Sequence, residues 1–451
     1  MNTPLHRSIF AAVVLLATTT VCAAAQSGLR AGAAKVDITP PKEMFPLEGG
    51  QTYGSVHDPL YVRALVLDNG TDKMALISVD AGQVRNGNEI FQALTQELGI
   101  PRQRIMLSAT HNHNTPTSGT LKDPKQAAQY FQQLKKGVVD AAKQANARLQ
   151  PARVGYGTGK AYVNTNRDEK IGEGYHMGYV PEGPSDKTVA VLTVTKPTGE
   201  PIAVYANYAV HAVVMYRSRT RDGHVQITGD LPGATSNYVE ERLGNNAIAL
   251  WTSGAAGDQN PMFMSTYNQD HPDVFDQGPA GWGILDVQAR RLGEEIVRVT
   301  KRTHNTTDRA VLWGTTGSLT CPGRQRAEPP KPGEAPGGYL APVNVKMIDG
   351  DPVTIPMSLL MINDIALAGV SAEVFTEIGQ QLKREAPFDR TMMVTLMPDG
   401  IGYIPTDQAF MLPAEKALTN RLKPGCAEQG VVNTFQGLMQ QYLPVWKAAT
   451  Q

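Results

Sequence analysis

The sequence predicts an α/β fold, a mixed β-sheet core flanked by helices, with a metal site at the carboxyl ends of its strands. Short apolar runs alternate with stretches of helical spacing, the pattern that layers helices onto sheets. Several of these runs lead into an acid, an imidazole or a phenol, and open α/β sheets gather ligands at that edge. Neither an internal repeat nor a heptad run competes with this reading.

Taken in order, the first segment stands apart from the fold. Residues 1–7 are short and basic, residues 9–17 are apolar, and Ala23-Ala24-Ala25 offers small residues for cleavage. This describes a secretory signal too short to span a bilayer. Residues 1–25 are therefore expected to be removed and the protein to be secreted or periplasmic, with 26–451 forming one catalytic domain. Residues 61–67 and 73–79 read as strands, 87–98 as a helix, 104–110 as a strand and 124–149 as a helix. After a Gly-rich patch come strands at 188–194 and 202–210, a helix at 233–243 and a strand at 247–252. Residues 280–301 carry the apolar spacing of a long helix. Runs 358–362 and 365–370 flank Asn363-Asp364, a tight-turn signal, and form a hairpin. Residues 373–385 read as a helix, 391–397 as a strand and 430–442 as a closing helix. The Pro/Gly-dense stretch 328–342 reads as a surface loop or flap.

Composition narrows the partners. Lys plus Arg and Asp plus Glu balance at 42 each, which argues against nucleic acid and strongly acidic partners. No segment after the leader approaches the roughly 20 apolar residues of a transmembrane helix, so membrane contact is at most peripheral. Cys321 and Cys426 follow the leader; they could pair in an oxidising compartment or remain two buried thiols. Their spacing is not that of a zinc finger, so a metal here must rest on His and carboxylates.

The strand ends supply such a set. Strand 73–79 ends at Asp80, 104–110 at His111-Asn112-His113, and 202–210 at His211. Strand 247–252 opens into Gly254-Ala255-Ala256-Gly257-Asp258-Gln259-Asn260, 365–370 leads to Glu373, and 391–397 to Asp399 and Tyr403. His111 and His113 stand i, i+2, so in extended backbone both rings point to one side. With His211 and Glu373 they make a mixed nitrogen and oxygen set suited to four-coordinate zinc, Zn²⁺, which renders water nucleophilic at neutral pH. The small-residue loop at Gly254 could bring backbone N–H groups to an oxyanion. Arg167, in Asn164-Thr165-Asn166-Arg167, could hold a carbonyl oxygen or an anion. Ser253 lacks the G-x-S-x-G elbow, and no serine triad is readable.

At these residues the chain resembles the neutral (non-lysosomal) ceramidases, zinc amidases that cleave ceramide. Thr110-His111-Asn112-His113 is similar to the family's T-H-T-H, whose first His binds zinc and whose second lies over the substrate. Asn164 to Arg167 resembles its N-x-x-R. Ala209-Val210-His211, followed by Thr228-Gly229-Asp230, resembles A-V-H…S-G-D. Ser371-Ala372-Glu373 stands at P-G-E, and Gly402-Tyr403-Ile404-Pro405-Thr406 at G-Y-V-T-T. The family's G-D-x-S-P-N reads Gly257-Asp258-Gln259-Asn260-Pro261-Met262, so Asp258 keeps its place and Asn260 replaces the serine. The likeness runs from Gly32-Ala33-Ala34-Lys35-Val36-Asp37 to about residue 440 and does not reach the C-terminal β-sandwich domain of long members.

The resemblance implies zinc held by His111, His211, Glu373 and Tyr403. His113 would serve as proton donor, Arg167 and Asn260 as oxyanion stabilisers, and Asp258 would be retained beside them. An asparagine can donate a hydrogen bond but cannot be a covalent nucleophile. The expected activity is hydrolysis of an N-acyl amide, with a small N-acyl compound or lipid as substrate. Hydrolysis of an N-acyl sugar, amino-acid amide or ester, or silent binding on the same scaffold, are the other readings. Aromatic content is only 6%, and membrane-dipping segments need several large apolar side chains on one face, so soluble short-chain amides are expected to outperform bilayer-embedded ceramide.

Overall fold

Three β-sheets press their inner faces onto one shared apolar core. Leu65 and Leu76 of the first, Leu192 and Leu250 of the second, and Leu360 and Leu367 of the third meet there. The computed structural model describes residues 28–117, 119–171, 174–216, 218–220, 223–265, 279–328, 345–412, 417 and 420–450. The leader, and all of the 328–342 loop except its first residue, lie outside the described residues.

In the first sheet Arg30–Asp37, Tyr61–Asp68 and Lys73–Val79 run antiparallel, and Ile105–Ala109 joins Lys73–Val79 in parallel. Val62, Ala64 and Val66 face the covering helices while Leu65 and Leu67 face the shared core. Burial on both faces explains why this strand reads as an unbroken apolar run rather than an alternation. Helices Gly87–Leu98 and Pro124–Ala147 cover the outer face through Ile90, Leu94, Leu134 and Val138. Pro124–Ala147 starts where the sequence says it should: Asp123 accepts from the Lys125 N–H at 2.8 Å, and Pro124 takes the first helical position.

The same device recurs twice. Arg153–Lys160, Thr188–Thr195 and Pro201–Tyr208 run antiparallel, and Ile248–Ser253 pairs in parallel with Pro201–Tyr208 after a crossover through helix Asp230–Leu243. Leu312–Arg326, Met347–Ile362 and Ile365–Val370 run antiparallel, and Arg390–Val394 joins in parallel after helix Thr376–Glu385. Helices Pro279–Arg302 and Ala427–Thr450 cover the second and third sheets. Each parallel pair needs a crossover, and so sends two strand ends in the same direction.

Local departures from expectation have local causes. The Gly-rich patch is the strand Arg153–Lys160. A Cβ at Gly155, Gly157 or Gly159 would lie 2.8, 2.6 or 2.0 Å from side-chain atoms of Thr303, Thr303 or Glu295. The glycines therefore let helix and sheet approach closely while weakening the strand signal. Leu312–Arg326 and most of Met347–Ile362 escaped the reading because their outer halves alternate exposed and buried positions around Gly350, Pro352 and Pro356. The predicted helix at 373 begins at Thr376; Glu373–Val374 instead pairs in parallel with Tyr403–Ile404. The hairpin at Asn363-Asp364 forms with Ile362 opposite Ile365. Cys321 and Cys426 are joined, with Cα atoms 5.8 Å apart, and tie the third sheet to the start of the last helix. Closing a loop of 105 residues stabilises by about 4–5 kcal/mol in the chain-entropy model.

Candidate metal centre

The segment after Ile105–Ala109 turns over the sheet edge at His111, which has φ 63°, a left-handed conformation uncommon outside glycine. Three backbone bonds hold it there: Thr110 N–H to Val79 O at 2.9 Å, Asn112 N–H to Ala81 O at 3.1 Å, and His113 N–H to Ala212 O at 3.2 Å. This corrects the expectation of extended backbone. The His111 and His113 rings converge through the left-handed turn, with centroids 4.6 Å apart and planes nearly perpendicular. The ligand atoms of His111, His113 and His211 all lie within 4.8 Å of one another.

The tautomers follow from what each ring touches. His111 Nδ1 lies 3.1 Å from Gly82 O, and His211 Nδ1 lies 3.0 Å from Gln259 O. A carbonyl oxygen only accepts, so both Nδ1 atoms carry the proton and each Nε2 is the atom turned into the cluster. Burial, reinforced by Arg167 and His111, holds His211 down to about 3, so its Nε2 stays unprotonated at neutral pH. His113 is likewise held well below its ordinary value by burial and then by His111 and His211. Yet Glu373 Oε2 sits 3.0 Å from His111 Nε2 and 3.2 Å from His211 Nε2. The unprotonated His211 Nε2 and the carboxylate are acceptors aimed at one another, and in a buried site they repel unless a cation or a proton lies between them. Imidazoles anchored to carbonyls through Nδ1 and a convergent carboxylate are the donor set that a divalent metal takes.

A second group flanks this cluster. Arg167, on the strand Asn164–Ile171 rather than in a loop, donates to Asn260 Oδ1 at 3.1 Å, Gly257 O at 2.5 Å and Tyr403 Oη at 3.2 Å. Tyr403 Oη stands 3.5 Å from His211 Nε2, and its neighbour in register is Glu373. Burial, then the Glu373 charge, raises the Tyr403 phenol far above its usual value. Asn260 turns its Oδ1 to Arg167 and leaves its amide N–H with only the Met264 sulfur, 3.7 Å away. Asp258 accepts from Asn166 Nδ2 at 3.0 Å and the Thr376 N–H at 2.9 Å, so it braces the loop from behind. Burial pushes its carboxyl up to about 7.

Three other strand-end groups are used elsewhere. Asp80 is buried against Arg63, and Asp399 accepts from the Gly87 N–H at the start of a helix. The N–H groups of Gly254 and Gly257 donate to Tyr208 O and Val374 O, so neither is available to an oxyanion. Conversely, the sequence reading missed the carbonyls of Gly82 and Gln259, which set the two tautomers; no side-chain signal marks a carbonyl. It also missed the wall of the cavity beside the cluster, about 320 Å³, which includes Gln51, Gln83 and Arg85.

Comparison with known proteins places the chain in a family. A family model described as neutral/alkaline non-lysosomal ceramidase, N-terminal, matches residues 29–275. The chain belongs to this family. A neutral ceramidase of Pseudomonas aeruginosa is 25% identical over 283 residues, covering 57% of this chain and 41% of that protein. The chain thus spans less than half the length of this relative. The crystal structure of neutral ceramidase from Pseudomonas aeruginosa superposes with a TM-score of 0.65 at 17% identity, covering 92% of this chain and 75% of that one. A ceramidase complexed with C2 gives 0.67 at 16% identity, covering 92% and 76%. These two likenesses establish a shared fold.

Proposed function

We propose that this member of the ceramidase family is an exported zinc-dependent hydrolase that cleaves the amide bond of an N-acyl compound. The observation that carries the reading is the convergence of His111 Nε2 and His211 Nε2 on the Glu373 carboxylate, with Tyr403 beside them. His111, His211, Glu373 and Tyr403 would hold the ion, and bound zinc supplies a nucleophile at neutral pH by acidifying water.

The remaining steps belong to the chain's own groups. His113, half-buried and held neutral beside the cluster, takes the proton that water loses as its oxygen bonds to the acyl carbon. It then passes that proton to the nitrogen as the carbon–nitrogen bond breaks, giving a carboxylic acid and an amine. The Asn260 N–H group and the unpaired Arg167 Nε–H are the donors left for the developing oxyanion, and Asp258 fixes the loop that carries Asn260. Because asparagine replaces the family's serine, water attacks directly and no acyl-enzyme forms.

Export rests on the leader at 1–25 and on the Cys321–Cys426 bond, which suits an oxidising compartment. Among the described residues no helix is long and apolar enough to cross a membrane. The test is a panel of ceramides, N-acyl amino acids, N-acetyl sugars and simple esters, each assayed with and without chelator. Chelator-sensitive amine release from at least one amide is expected. Release from none of them, or release indifferent to chelation, overturns the reading.

A further inference from the structure

The cavity that opens on the metal cluster is lined by polar and aromatic side chains. Among the described residues no aliphatic side chain lines it; its wall is made by Gln51, Gln83, Arg85, Thr117 and Tyr216, with His111 and His113 at one side. Two of these groups are incomplete. Gln51 donates from Nε2 to His113 O at 3.0 Å, but its Oε1 is buried with no partner, and the Gln83 Oε1 is in the same state. A buried unpaired acceptor costs on the order of 1–3 kcal/mol, a cost that a bound donor would remove. Arg85 is exposed at the rim and makes no ion pair or hydrogen bond among the described residues.

An alkyl chain would find little here. Its binding draws on about 0.8 kcal/mol per methylene buried against apolar atoms, and this wall offers the rings of Tyr53 and Tyr216 but no aliphatic side chain, its other groups being amides, hydroxyls, imidazoles, a guanidinium and the Glu373 carboxylate. Filling it with hydrocarbon would also leave both glutamine oxygens unpaired. A guanidinium with unused donors is suited to a carboxylate, which it can grip through two parallel bonds.

We propose that this cavity takes the polar, carboxylate-bearing part of a small N-acyl amide, and that Arg85 determines this specificity. The inference rests on the hydrolase reading, because it treats the cavity beside the cluster as the substrate's own, but its test reads binding rather than turnover. Three probes share one primary amide and differ at the far end: glutaramate with a carboxylate, glutaramide with a second amide, and valeramide with a methyl group. Calorimetric titration of the protein as purified should rank them in that order, with glutaramate about tenfold tighter than glutaramide. Arg85→Gln should remove that gap and leave glutaramide binding unchanged.

Valeramide binding tightest, or no measurable binding of glutaramate, overturns the proposal. So does a carboxylate preference that survives Arg85→Gln, since the anion would then be held by the metal or by Arg167. If the ranking holds but no amide is hydrolysed, the hydrolase reading fails and this one stands. If hydrolysis occurs but valeramide binds best, the reverse is true.

Discussion

Two buried polar clusters lie at strand ends, and they are built on opposite principles. In the first, Arg63 donates to Asp80 at 3.0 Å, Glu240 at 2.9 Å and Asn237 at 2.7 Å, while Lys35 closes the other Glu240 oxygen at 2.6 Å. Every charge has a partner of opposite sign, so the network is closed and needs nothing added. In the second, two imidazole Nε2 atoms and a carboxylate face one another, and the nearest guanidinium, Arg167, is turned to Asn260, Gly257 and Tyr403. Each cluster holds an acid delivered by a strand end, Asp80 in the first and Glu373 in the second. Only the second is incomplete without a ligand, which separates a structural ion pair from a site.

The sharpest way to break the contrast is to take one member from each cluster. His211→Ala should abolish bound metal and reduce activity by at least about 10³-fold, because a remnant ligand set binds zinc far more weakly. The fold should persist, as judged by circular dichroism. Arg63→Met should do the reverse. It leaves Asp80 buried and unpaired and takes from Glu240 one of its two cationic partners, so urea unfolding should show a loss of about 3–5 kcal/mol while metal content per folded chain is unchanged. If Arg63→Met instead empties the metal site, the two clusters are not independent.

Smaller effects sharpen the picture. Asn260→Ala should lower kcat by about 10²–10³-fold with metal retained, the usual cost of losing one oxyanion donor. An unchanged kcat would remove this loop from the chemistry. Asp230 extends the test to pH. Burial pushes its carboxyl up to about 6 even though the Val214, Met215 and Leu231 N–H groups donate to it. The unfolded chain releases that proton near pH 4, so between about pH 4 and 6 the folded state binds more protons than the unfolded state. Stability must therefore fall as pH rises through that window and level off above it, by at most roughly 3 kcal/mol. Asp230→Asn should flatten this part of the profile relative to wild type, and superimposable profiles would show that Asp230 is ionised throughout.

The sequence disclosed what side chains announce. Long apolar runs such as 61–67 and 73–79, and the capped helix at Pro124, were legible because burial on both faces and an Asp-Pro start leave marks in composition. The strand Arg153–Lys160 was hidden because its glycines serve a close helix contact rather than strand propensity. At the site, His111, His211, Glu373, Arg167 and Asn260 were named from the chain and are brought together in the structure. The left-handed turn at His111, the carbonyls of Gly82 and Gln259, and the unpaired oxygens of Gln51 and Gln83 were not readable. Each is a property of backbone placement, fixed by contacts between segments far apart in sequence.

The central claim is that the converging Nε2 atoms of His111 and His211 and the Glu373 carboxylate hold a metal ion. Elemental analysis of the purified protein, paired with anomalous diffraction at the zinc edge, tests it most directly. The account predicts about one zinc per chain, with the anomalous peak at bonding distance, about 2.0–2.2 Å, from His111 Nε2, His211 Nε2 and Glu373. Protein without stoichiometric metal, or with its peak bound elsewhere while His111 and His211 keep their present contacts, would contradict it.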